Sequence, residues 1–198
     1  MVLVRAATAD DVAPVADLFA RAFEHDPLWA ALMPRAERRA RNIRWLMLAD
    51  LSGAGVNALD VAVDETSGLL VGALRFTTPR PDRPASWWRR TAGSAAARLG
   101  GTIGRGLRQE RAVREHRPAE PHWFVQDVAA DPRRQGRGIG SALLAHRLNL
   151  IDQSPAPTAL EATTSGSARL YARHGFATVG TVRLLPGTES QVMIRPAT

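Results

Sequence analysis

The first half of the chain alternates between strand-like and helix-like runs of apolar positions. Val2–Arg5 predicts a short first strand. Thr8 then stands as a helix N-cap, with Asp10 and Asp11 in the first turn, where the helix dipole favours anions. Val12, Val15, Ala16, Phe19 and Phe23 follow at helical spacing, and the helix is expected to stop near Asp26-Pro27. A second helix is predicted from Arg35 to Leu51, with Ile43, Leu46, Met47 and Leu51 on one face and the Ser52-Gly53 and Ala54-Gly55 steps ending it. Ala58–Val63 and Leu69–Thr77 predict two strands, joined by a hairpin turn over Asp64-Glu65-Thr66-Ser67-Gly68. The order so far is β-α-α-β-β.

From Pro79 to Pro121 the pattern changes. This stretch opens with Pro-Arg-Pro-Asp-Arg-Pro, carries Trp87-Trp88, and becomes an arginine-rich helical run ending near His116. It is too long for a tight hairpin connection, and reads either as an inserted wall of a site or as an arm packed on the sheet edge. Beyond it, Trp123–Ala129, Thr158–Ala162, Phe176–Arg183 and Gln191–Ile194 predict strands. Gly138–Ile151 and Ser167–His174 predict helices, the second closed by Gly175 as a C-cap. Strand–helix–strand–helix–strand is α/β order with a central crossover. Neither an internal repeat nor a domain boundary interrupts it, so 1–198 is expected to form one domain with a helical insertion at about 79–120.

Composition narrows the chemistry. With 45% hydrophobic residues in 198, the chain can bury a sizeable core. No apolar run approaches the ~20 residues needed to span a bilayer, and the opening residues lack the apolar core of a secretory signal, so a cytoplasmic setting is expected. There is no cysteine, which removes disulfides, thiolate metal sites and a cysteine nucleophile. All 26 basic residues are arginine. Without lysine there is neither a phosphate-loop NTPase motif nor a pyridoxal Schiff base. No zinc spacing occurs among the five histidines, so no metal is expected. No Gly-x-Ser-x-Gly elbow occurs. The net charge of +7 suits either a nucleic-acid binder or a protein whose ligand carries phosphates.

The segment from Val125 to Leu144 runs from a predicted strand through a glycine-rich loop into a helix. Gly136, Gly138 and Gly140 alternate across the turn, where glycine permits positive φ and close backbone approach. Successive N–H groups at a helix start form a nest for a pyrophosphate, and Arg133, Arg134 and Arg137 can reach further phosphates. The spacing is Gly-x-Gly-x-Gly, not the Gly-x-Gly-x-x-Gly of dinucleotide-binding folds, and the following acid, Asp152, closes a helix rather than a strand.

Gln135-Gly-Arg-Gly138-Ile-Gly140 resembles the Gln/Arg-x-x-Gly-x-Gly/Ala motif of the GNAT acetyltransferase superfamily. Val128-Ala-Ala-Asp-Pro132 before it, and Leu160-Glu-Ala-Thr and Leu170-Tyr171-Ala-Arg-His-Gly-Phe176 after it, resemble the same superfamily in the same order. The run His116-Arg-Pro-Ala-Glu-Pro-His-Trp-Phe124 and the ending Val192-Met-Ile-Arg-Pro196 are similar to the puromycin N-acetyltransferase group within it. The firm part of the resemblance covers about Arg114 to Pro196. It implies a mixed, mostly antiparallel central sheet, splayed at its middle strands and flanked by helices. It further implies that acetyl-CoA is the cosubstrate, held by Val128, Ala129, Ala130, Arg133, Arg134, Gln135, Gly136, Arg137, Gly138, Ile139, Gly140, Ser141 and Ser167. Ser167, with Thr164 and Ser165, stands where many members carry an asparagine.

Tyr171, the single tyrosine, matches the superfamily residue that protonates the leaving thiolate, and its other reading is a core position on an amphipathic helix. For the proton leaving the amine, Glu161 is the first choice among Glu161, Glu24, Asp26, His25, His122 and His174, with a water relay as the alternative. The reading is direct transfer, in a ternary complex, to a primary amine of a small molecule. Its partners are then that amine, with neither nucleic acid nor membrane, and a homodimer is compatible with the chain. Competing readings are a silent acyl-CoA sensor, a protein or peptide N-acetyltransferase, and a nucleic-acid binder built on Trp87-Trp88-Arg89-Arg90.

Overall fold

A computed structural model describes residues 1–80 and 101–197. Trp87-Trp88-Arg89-Arg90 and most of the proline-rich stretch before them lie outside the described residues.

Seven strands form one sheet in the order β1-β2-β3-β4-β5-β7-β6. They are β1 (Val2–Ala6), β2 (Leu59–Asp64), β3 (Leu70–Arg80), β4 (His122–Ala130), β5 (Thr158–Ala162), β6 (Ala177–Val182) and β7 (Ser190–Arg195). Every neighbouring pair is antiparallel except β4 with β5, which is parallel. The helices are α1 (Val12–Phe23), α2 (Pro27–Leu32), α3 (Ala36–Leu51), α4 (Thr102–Arg114), α5 (Ile139–Ile151) and α6 (Ser165–Ala172). This is the mixed, mostly antiparallel α/β sheet the sequence implied. Each predicted strand and helix is present, with ends shifted by a few residues.

One element was not foreseen. The chain does not simply leave the helix at Asp26-Pro27. It starts α2 there, with Asp26 as N-cap accepting from Leu28 N (2.9 Å) and Trp29 N (3.1 Å) and Pro27 in the first turn.

The sheet carries a core on each face. Val15, Phe19, Ile43, Leu46 and Leu51 from α1 and α3 pack with Val61 and Ala73 on one side. Leu143, Leu144, Leu148 and Ile151 from α5 pack with Leu74, Val125 and Leu160 on the other. Gly72 sets how closely α5 approaches: a Cβ there would lie 2.5 Å from Ile139 Cγ2. Arg147 of α5 anchors it further, with a bidentate pair to the fully buried Asp60 (2.7 and 2.5 Å) and its guanidinium 3.7 Å over the Phe76 ring.

The helix α4 lies on the α1–α3 side. Its Val113 packs with Phe124, Ala159, Val182 and Val192, and Arg105 donates twice to Leu32 O at the end of α2 (3.0 and 2.6 Å). The helical run expected inside 79–120 therefore covers the sheet and also reaches α2.

Candidate active site

A β-bulge opens the site. Asp127 stands opposite Arg75 of β3 and Val125 opposite Phe76, so Gln126 is an extra residue on β4. Beyond it β4 and β5 part: they pair only from Trp123 to Val125. The backbone direction switches at the same place. Trp123 N–H donates to Pro157 O on the β5 side (2.8 Å), whereas Asp131 N–H donates to Val71 O on the β3 side (2.9 Å). Residues an even number apart on a regular strand point their N–H groups the same way, and one inserted residue reverses this. Counting back from Asp131, the N–H groups of Ala130 and Val128 point into the gap, and that of Ala129 points to β3.

The gap continues into a cleft of about 450 Å³, lined by residues of α1, α2, α4, β4, β5 and α6. Val128, Ala129, Ala130, Gln135, Ser167, Tyr171 and Glu161 all line it.

At its outer end lies the glycine loop. Gly136 (φ 77°) and Gly138 (φ 80°) both take left-handed backbone, and a Cβ on either would project into open space. The first bond of α5 runs from Ala142 N to Gly138 O (2.9 Å), leaving the N–H groups of Ile139, Gly140 and Ser141 without helical partners. Such a concave row of donors fits a pyrophosphate. Arg133 and Arg137 beside it are exposed and meet no carboxylate among the described residues. Arg134 is engaged elsewhere, in an ion pair with Asp64 of the β2–β3 turn. Ser141 Oγ lies 2.7 Å from His174 Nε2, and burial pushes the His174 pKa down.

Tyr171 stands at the boundary between core and cleft. Its ring is buried against Phe176, 6.2 Å between centroids, while the residue lines the cleft. Burial raises its pKa above the ordinary phenol value, helped by the negative charges of Asp127 and Asp26. Ser167 and Thr164 cap α6 reciprocally, Ser167 N donating to Thr164 Oγ1 (3.1 Å) and Thr164 N to Ser167 Oγ (3.2 Å).

The acceptor side is acidic and aromatic. Strand alternation turns Leu160 and Ala162 into the core under α5 and Ala159 and Glu161 to the opposite face, under α4. Glu161 Oε1 accepts from Gln109 Nε2 (2.6 Å) and Ser190 Oγ (2.5 Å), and burial raises its pKa. Asp26, its pKa also raised by burial, accepts from Thr163 Oγ1 at its second oxygen (2.6 Å). Phe23 and Trp29 stack at 5.8 Å along one wall.

The other proposed proton acceptors separate. His25 lines the cleft, as Asp26 does. His122 is buried with Nδ1 on Glu120 O (2.9 Å), His174 faces Ser141, and Glu24 does not line the cleft. Sequence reasoning missed Asp127, Arg75, Gln109 and Ser190. The first two had left a signal: each is a charged residue inside an otherwise apolar strand. Gln109 and Ser190 left none.

Residues 94–178 match the family described as the acetyltransferase (GNAT) domain. Over that stretch the chain is similar to GNAT acetyltransferases, and it is an enzyme of the acyltransferase class. Its fold is similar along its whole length to a structure described as histone acetyltransferase HPA2 and related acetyltransferase from Corynebacterium glutamicum, at 28% identity and a TM-score of 0.75, covering 97% of that chain. A polyamine N-acetyltransferase of Drosophila melanogaster, described as forming N-acetylagmatine, matches 98% of this chain and 99% of its own at 20% identity and a TM-score of 0.71. A mosquito arylalkylamine N-acetyltransferase-like protein matches over all of both chains at 14% identity and a TM-score of 0.71. The last two likenesses concern the fold alone.

Proposed function

We propose that this GNAT enzyme transfers acetyl from acetyl-CoA directly to the primary amine of a small molecule, within a ternary complex. The observation that carries the reading is the open edge of β4, where the Val128 and Ala130 N–H groups face the gap between the glycine nest and Tyr171. Acetyl-CoA supplies the activated acetyl group as a thioester. The nest from Gly136 to Ser141, with Arg133, Arg137 and, when released from Asp64, Arg134, holds its phosphates. Gln135 and Ser167 border its path, and Val128 and Ala130 pair with its amides. The Val128 N–H also faces the acyl oxygen and stabilises the charge that develops there, an effect of roughly 10²–10³ in rate for one such donor.

Glu161 takes the proton that the ammonium must lose before its nitrogen can attack the acyl carbon. Tyr171 gives its phenolic proton to the sulfur as the C–S bond breaks, and the second proton released by the nitrogen as the amide forms restores the phenol. The raised Tyr171 pKa keeps that proton in place through neutral and mildly alkaline pH. The cleft of about 450 Å³, with Asp26 and Glu161 near the Phe23 and Trp29 rings, suits a compact cationic amine. Two of the neighbours reported above act, by their names, on amines of this kind.

Thiol release from acetyl-CoA against arylalkylamines, polyamines, aminoglycosides, puromycin and short peptides tests the reading. Turnover of a small amine in preference to peptides is expected. Release with peptides alone would make it a peptide acetyltransferase, and silence with acetyl-CoA still raising the melting temperature would make it a sensor.

A further inference from the structure

The polar cluster behind Glu161 carries an inference that rests on the proposed proton acceptor and adds to it. Three side chains from three separate elements close a triangle. Gln109 of α4 donates from Nε2 to Glu161 Oε1 (2.6 Å) and to Ser190 Oγ (3.2 Å), and Ser190 of β7 donates its hydroxyl proton to the same Oε1 (2.5 Å). Gln109 is 4% exposed and Ser190 1%, so water does not compete for these bonds. Both donors converge on one carboxylate oxygen, and Oε2 has no protein partner among the described residues and is left to the cleft that Glu161 lines. We propose that Gln109 and Ser190 are positioning residues that lock Glu161 in one rotamer and present Oε2 to the acceptor amine.

The chemistry of the pair fits a base. A donor that bonds the charged form of a carboxylate favours that form and opposes the penalty of burial. Burial raises the Glu161 pKa, while Ser190 and Gln109 pull it back down. The two donors therefore favour the charged, proton-accepting form of a carboxylate that burial alone would push toward neutral. Among the described residues, the other charges around Glu161 are few. From the α4 side come Glu110 and Arg117, which neutralise each other at 3.1 Å, with Arg114 also on Glu110. Farther along the cleft stand Asp26 before α2, Asp127 on β4 and the neutral Tyr171 on α6. None of these is replaced in the test below.

The same contacts give the helix in the long connection between β3 and β4 a place at the site. On α4, Gly106, Gln109 and Glu110 line the cleft while Val113 anchors the helix to the sheet. Without α4, Oε1 would lose one of its two donors.

The experiment follows the Glu161 carboxyl directly by ¹³C NMR titration, alongside the pH profile of kcat/KM on an accepted amine, in the full chain. Ser190→Ala and Gln109→Met each remove one donor to the charged form. Each is expected to move the Glu161 midpoint, and the acid limb of the profile, upward by about one pH unit. The change falls mainly on kcat/KM below the new midpoint, with the alkaline plateau retained. Ser190→Thr keeps a hydroxyl and is expected to restore both. If the midpoint stays in place in both variants while Glu161→Gln abolishes the acid limb, the base stands and the positioning role is overturned. If Glu161→Gln keeps the limb, the base assignment fails and the positioning role fails with it. A merely structural role for the two residues lowers the melting temperature and leaves the midpoint where it was, which also overturns the proposal.

Discussion

Tyr171 combines two demands in one side chain. The ring belongs to the core under α5 and the residue also lines the cleft, so a change that spares the ring separates them. Tyr171→Phe keeps the contact with Phe176 and removes only the hydroxyl. Its kcat is expected to fall by about 10²–10⁴-fold, the range for loss of one general acid, with little change in melting temperature. An unchanged kcat would leave the residue as core alone. Because burial and two nearby aspartates raise its pKa, no descending limb from Tyr171 is expected below the ordinary phenol range. Gly138 is the second residue-scale case. At φ 80° an alanine is strained although its Cβ meets nothing. Gly138→Ala is expected to cost about 1–2 kcal/mol in thermal or urea unfolding. It should also weaken acetyl-CoA binding, measured by titration calorimetry, because the backbone N–H groups turn away from the phosphates. Both positions were legible in the sequence, one as a lone tyrosine in a motif, the other as an alternating glycine.

At the scale of elements, the β2–β3 turn and the glycine loop are coupled. Asp64 closes its turn by accepting from Thr66 N and Ser67 N (3.0 Å each) and then binds Arg134 from the loop after β4. The turn itself was readable from Asp64–Gly68, but its link to Arg134 was not, since the two lie 70 positions apart. The Ser67 N–H first, and the Arg134 guanidinium next, hold the Asp64 carboxyl down at about 2. A folded-state pKa below the unfolded value stabilises the protein above the ordinary carboxylate pKa, and the gain is lost as pH falls through about 2. The melting-temperature gap between the parent and Asp64→Asn is therefore expected to be steady from about pH 5 to 8 and to close toward pH 2. The pair is part-buried at the edge of the fold and still reached by solvent, so the gap is small and shrinks in salt. In Asp64→Asn, Arg134 is released toward the phosphates, and tighter acetyl-CoA binding at low ionic strength is the expected companion result.

At the scale of the molecule, a buried triad ties three elements around the bulge. Arg75 of β3 is 4% exposed and bonds Asp127 of β4 through Nε (2.7 Å) and NH2 (2.5 Å), while NH1 pairs with Asp50 of α3. Its position opposite Asp127 fixes the register just where Gln126 is inserted, and so helps to hold β4 away from β5. Replacing Arg75 by Met removes the cation that Asp127 and Asp50 share. Urea unfolding is expected to show a loss of about 3–5 kcal/mol, the cost of breaking a buried pair by removing one partner. A much smaller loss would mean that water reaches the triad.

The amino-acid sequence alone decided the elements and the loop chemistry, because both are local. Apolar spacing decides which face of a strand or helix is buried, and Gly136 and Gly138 require left-handed backbone whatever surrounds them. It also determined the order of strands and helices in which the GNAT motifs stand. Which side chains meet depends on the folded chain. Glu161 gains its partners across 52 and 29 positions, from Gln109 and Ser190. Asp127 finds Arg75 across 52. Such pairs follow from strand order and from how β4 and β5 separate, and those depend on packing over the whole sheet. Side chains on one strand face alternate by a fixed rule, but what they face across a gap is set by every element that closes it.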